Sequence, residues 1–157
     1  MANRWILFAI AVAIAAGSGL VFGKQMYAVI EIRDTAARML DHVKNGDYRE
    51  ASRFIAYYTE NNKIDSSSSP SIDAGNAWVS RMETLDAEIT GYDKLEVWME
   101  DGKPKGRVTL HYRQGDSEIV EQTPISFLKR DGEWKISGFP FLKDENVGQA
   151  LSGYISD

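Results

Sequence analysis

The sequence predicts an α+β protein: an N-terminal transmembrane helix, then three helices packed on a curved four-stranded antiparallel sheet. Three observations predict it. An uncharged stretch runs from Trp5 to Gly23. Apolar residues then recur at helical spacing as far as Leu85. After Asp86 the period changes to alternation, interrupted by Gly-containing turns.

Arg4 and Lys24 bracket the uncharged stretch, which holds 19 residues. As a helix it is roughly 28 Å long, close to the hydrocarbon thickness of a bilayer. A cleaved signal peptide is the competing reading, with Ala13 and Ala15 in an A-x-A pattern. Leu20, Val21 and Phe22 carry the apolar run past that point, so length favours retention. Ala11, Ala15, Gly19 and Gly23 recur every fourth residue and give one smooth helix-packing face. Lys24, Arg33, Arg38 and Lys44 follow the span, and a strict charge count would put the domain in the cytoplasm. Exported domains override that count, and a short tail followed by a periplasmic domain is the expected arrangement. The expected location is the inner membrane, crossed once.

Beyond Lys24, Val29, Ile32, Ala36, Met39 or Leu40, and Val43 mark one amphipathic helix, which Gly46 ends. Asp47 is placed to cap a second helix, with Glu50 completing a capping box. Its inward stripe is Tyr48, Ala51, Ile55 and Tyr58. The stretch NNKIDSSSSPS (61–71) is a polar loop. Asp73 caps the third helix, whose apolar face is Trp78, Met82 and Leu85.

Leu95, Val97 and Met99 alternate with Glu96, Trp98 and Glu100 in the first strand. DGKPKG turns the chain, and Val108, Leu110 and Tyr112 form the inward set of the second. QGD turns it again into a long run, Glu118 to Lys129, with Pro124 marking a bulge or an edge. RDGE is an Asp-Gly hairpin signal before the last strand, WKISGF. Turns this short imply an antiparallel meander. Val147, Leu151 and Tyr154 are in step for a further short helix. The division is residues 1–24 for tail and membrane helix, 25–143 for the folded domain and 144–157 for a C-terminal tail or short helix.

The stretches MLDHVKNGDYREASRFI and ISFLKRDGEWKISGF resemble the first helix end and the last hairpin of nuclear transport factor 2-like domains, the cystatin-like α+β cone. The resemblance covers roughly residues 28–140 and rests on structural motifs, so it implies a fold rather than a reaction. It also implies a pocket between sheet and helices, where related isomerases and cyclases hold Asp, His and Tyr. Tyr57, Tyr58 and Trp78 are the candidates to line such a pocket, although buried aromatics also serve as packing. The layout is similar to inner-membrane assembly subunits of type IV secretion systems.

The chain has 157 residues, a net charge of -5, no cysteine and two histidines. Thiol chemistry and disulfides are excluded. His42 and His111 share no ligand spacing, so no metal is expected, and no cofactor. The acidic balance argues against a nucleic-acid partner, and DSEIVE (116–121) and Asp144–Glu145 read as solvated surface. His42 suits a helix C-terminus, while His111 points away from the apolar set of its strand. Trp98 and Thr109 share that outer face with His111 as a candidate interface, either exposed or covered by the C-terminal helix. No inward carboxylate stands out, and no catalytic residue is assigned. The expected function is a membrane-anchored, non-catalytic scaffold subunit of an envelope complex. Its partners are the membrane and other protein subunits or further copies of itself. The alternatives are an apolar-ligand pocket protein and an isomerase- or cyclase-like enzyme.

Overall fold

A computed structural model of the chain describes residues 23, 25–58 and 72–155. Helix α1 covers 25–44. Its buried residues are Ile32, Ala36, Met39, Leu40 and Val43, the stripe that the spacing predicts. It ends in a Schellman motif. The Gly46 amide donates to the Val43 carbonyl (3.0 Å) and the Asp47 amide to the His42 carbonyl (2.8 Å). Gly46 takes a φ of 75°, which glycine adopts without steric penalty.

The second helix is much shorter than its stripe suggests. Helix α2 spans Tyr48–Ala51 and gives way to a 3₁₀ turn at Ser52–Phe54. Residues 55–58 are then recruited by the sheet. Ile55 bridges to Ile136 in parallel, and Tyr58 to Tyr154. The expected capping box does not form, since the Asp47 side chain makes no cap bond. It sits 3.7 Å from His42 Nδ1 instead. Phe54 stacks on the His42 ring and lies under the Arg38 guanidinium, which clamps the turn to α1.

Helix α3 spans Ile72–Glu83 and inserts Trp78 and Met82 into the core. The sheet is an antiparallel meander of β1 (Glu88–Glu100), β2 (Lys103–Gln114), β3 (Ser117–Arg130) and β4 (Glu133–Gly138), in that order across the sheet. Asp101–Gly102 and Asp131–Gly132 both carry two successive positive φ values, the geometry of a type I′ hairpin turn. Strand β2 begins directly after the first of these turns, so Lys103–Gly106 are strand rather than loop. The Phe127 ring lies across Gly106, where an added Cβ would meet it at 2.6 Å. Pro124 pairs with Arg107 at a level where β3 outruns the shorter β4, so its missing N–H breaks no ladder with β4.

Helix α4, Glu145–Leu151, is capped by the Asp144 side chain, which accepts from the amides of Asn146 and Val147. Val147 and Leu151 are fully buried, and α4 closes the core between α3 and β4.

Two expectations are corrected. Four helices accompany the sheet among the described residues, not three behind a transmembrane helix. No helix among the described residues is long and apolar enough to cross a membrane. The single-pass inner-membrane location and periplasmic placement are set aside on that finding. The stretch that prompted them lies outside the described residues, apart from Gly23.

Candidate functional site

Between sheet and helices, the described residues form a buried core. Trp78, Tyr112, Met39, Leu40, Leu110 and Val108 interdigitate there at essentially zero exposure. Trp78 is therefore a core residue, and its indole nitrogen has no hydrogen-bond partner among the described residues. Tyr57 is also core. Its hydroxyl donates to the Ser52 carbonyl (2.8 Å), and burial raises its pKa. Tyr58, its neighbour, turns the other way. It meets the Tyr154 ring at 5.8 Å and lines a cleft beside β4. Of the three residues singled out for a pocket, Tyr57 and Trp78 are thus buried in the core and Tyr58 lines the cleft.

One inward carboxylate escaped the sequence reading. Glu121 is only 9% exposed and faces the core side of β3. It accepts from the Tyr112 hydroxyl (3.3 Å) and from the Lys143 amide (2.9 Å). Two residues on, Thr123 donates to the Pro140 carbonyl (2.8 Å). Both side chains therefore spend their polar capacity pinning the segment after β4 onto the sheet. Tyr112 has its pKa pushed up to about 12, first by burial and then by the Glu121 charge. Alternation counted back from buried Ile125 through Thr123 gives the inward position of Glu121 directly, and was the available signal.

Trp98, Thr109 and His111 lie on the outer face of the sheet. Trp98 is 40% exposed beside the Arg107 guanidinium. Thr109 is mostly buried, and His111 Nε2 sits 3.2 Å from an Asp93 carboxylate oxygen. Trp98 pairs across the ladder with Lys105, six residues from His111 on β2. At strand rise that is roughly 20 Å, so the structure spreads these residues along the face rather than gathering them. Ala11, Ala15 and Gly19 lie outside the described residues. Gly23 is helical, and open space surrounds the position of an added Cβ.

Trp98 instead belongs to a different group. It joins Val97 and Met99 of β1 with Met26, Val29 and Ile30 of α1 around a groove of about 350 Å³. Met26 is 65% exposed and Ile30 61%. The groove lies at β1, one of the two edge strands of the sheet among the described residues. Its charged surroundings are balanced, with Arg107 paired to Glu96 and Lys105 to Glu100. Such a surface can bury apolar side chains, and it holds no group suited to proton or group transfer. Sequence reasoning found Trp98 but not the α1 half of the groove, because Met26 and Ile30 sit beside the helix stripe and read as its flank.

No protein-family model matches the chain, and no curated protein matches it. Among solved structures, a protein from Catenulispora acidiphila is similar at 12% identity and a TM-score of 0.42, covering 72% of this chain and 88% of that one. A protein of unknown function from Mycobacterium tuberculosis is similar at 11% identity and a TM-score of 0.45, covering 80% of this chain and 79% of that one.

Proposed function

We propose that this chain is a non-catalytic protein-interaction domain built on a nuclear transport factor 2-like cone, and that its working surface is the groove between α1 and β1. The observation that carries the reading is the exposure of Met26, Ile30 and Trp98 around one apolar depression. Contiguous exposed apolar surface of this kind marks contact sites, and Trp is enriched where binding energy concentrates. The buried side chains of Trp78, Tyr112, Met39 and Leu110 between sheet and helices support the same reading.

The occupant we assign is a second copy of this chain. A twofold contact brings a patch against itself, so a rim of one sign would repel its own copy. Here the Glu96–Arg107 and Glu100–Lys105 pairs neutralise the rim within each copy. A twofold axis perpendicular to β1 would set its edge antiparallel to that of the second copy. Sedimentation velocity of the full chain over a concentration series tests this. A dimer is expected, weakened about tenfold or more by Trp98→Ala, the usual scale for a central aromatic anchor. A species that stays monomeric throughout, or a dimer indifferent to Trp98→Ala and Met26→Ser, overturns the assignment.

A further inference from the structure

The cleft at the opposite edge of the sheet is a separate feature with its own chemistry. It measures about 430 Å³ and lies between the end of β4, the segment after it and α4. Tyr58, Phe141 and Tyr154 are among its lining residues, with Ser126 and Ser137. Glu145 is the one charged residue that lines it, and no lysine or arginine does. Among the described residues Glu145 has no ion-pair partner, unlike Glu50, Glu88, Glu96, Glu100 and Glu133.

Phe141 is the unusual member. It is 86% exposed, yet its neighbours Phe139 and Leu142 are buried. Its φ is 70°, a left-handed value that glycine or asparagine would adopt at lower cost than an aromatic residue. The segment around it is held on both sides. Thr123 bonds the Pro140 carbonyl, and Glu121 bonds the Lys143 amide. The fold thus holds a solvent-facing phenyl ring in a disfavoured backbone state on the rim of a cleft. Packing does not explain it, because the ring is mostly in water.

Aromatic faces present negative charge and attract cations, and a nearby carboxylate adds to that field. We infer that this cleft binds a small organic ammonium ion, with Phe141, Tyr58 and Tyr154 enclosing the cationic head and Glu145 supplying the counter-charge. The inference is independent of the groove and of self-association.

The test is an amide chemical-shift titration of the full chain with choline, set against its neutral isostere 3,3-dimethylbutan-1-ol. Choline should give saturable shifts at Ser126, Ser137 and Gln149, with the alcohol weaker by about tenfold. Glu145→Gln should weaken choline by a similar factor. Phe141→Gly separates binding from structure: it relieves the positive φ, so the melting temperature should hold or rise while choline binding is lost. Equal binding of the alcohol and choline, no saturable shift with choline, or full affinity in Phe141→Gly would each overturn the inference.

Discussion

Gly153 approaches Ala56 so closely that a Cβ on it would lie 1.9 Å from the Ala56 carbonyl oxygen. The contact sits inside a three-way junction. The Gly153 amide donates to the Ser137 carbonyl (3.1 Å), and the Gly153 carbonyl accepts from the Tyr58 amide (2.9 Å). The Ala56 amide donates to the Ile136 carbonyl (2.7 Å). Residues 55–58, β4 and the C-terminal segment are thereby joined through backbone alone. Gly153→Ala must push one of these apart. It should destabilise by about 2–4 kcal/mol, the range for overpacking combined with lost buried hydrogen bonds, read as a lower denaturant midpoint. Gly23→Ala, where open space surrounds the Cβ position in a helix, should hold or raise the midpoint.

Arg81 reinforces the same junction from α3. Its guanidinium donates to the carbonyls of Gln149 (2.9 Å) and Tyr154 (2.6 Å), so it meets the C-terminal end of α4 where the helix dipole favours a cation. Arg81→Met keeps most of the apolar stem and removes both bonds. A loss of about 1–3 kcal/mol is expected for charged donors to backbone acceptors, together with faster hydrogen exchange in α4. Unchanged exchange there would show that Arg81 holds nothing.

Two phenols, buried Tyr112 and half-buried Tyr92, make the fold sensitive to alkali. The Tyr112 hydroxyl ordinarily ionises near 10 and in the fold near 12, and Tyr92 behaves alike, through burial and then Asp41. The folded state therefore keeps these protons where the unfolded chain has released them. Their contribution is complete below pH 10 and declines as the pH rises toward 12. Urea midpoints measured across that window should fall more shallowly in Tyr112→Phe than in the parent chain. Parallel curves would show that Tyr112 ionises alike in the folded and unfolded chain.

The burial of Glu121 and the early end of α2 show what the sequence made legible and what it did not. The inward faces of α1 and β2 were readable because a single period runs through Ile32, Ala36, Met39 and Val43, and through Val108, Leu110 and Tyr112. The two Asp-Gly turns were readable because their backbone chemistry is local. Glu121 was read as surface because its charge outweighed its position in the alternation. The stripe Tyr48, Ala51, Ile55 and Tyr58 fits a helix, and nothing local forbids one. It stops because Ile55 and Tyr58 find backbone partners at Ile136 and Tyr154, some 80 to 100 residues away. The groove stayed hidden for a similar reason, since half of it comes from α1 and half from β1. Phe141 gave no signal at all, because its positive φ follows from bonds made by Glu121 and Thr123 on another strand.

The claim that the groove joins two copies of the chain is tested most directly by cross-linking, since the sequence has no cysteine to interfere. Ile30→Cys places one thiol in the groove, and Asp116→Cys places one at the opposite end of the sheet. Under mild oxidation of the full chain, Ile30→Cys should form a disulfide-linked dimer, and adding Trp98→Ala should slow its formation about tenfold or more. Asp116→Cys should remain monomeric on a non-reducing gel. Equal cross-linking of both thiols, or none at Ile30→Cys, would contradict the account.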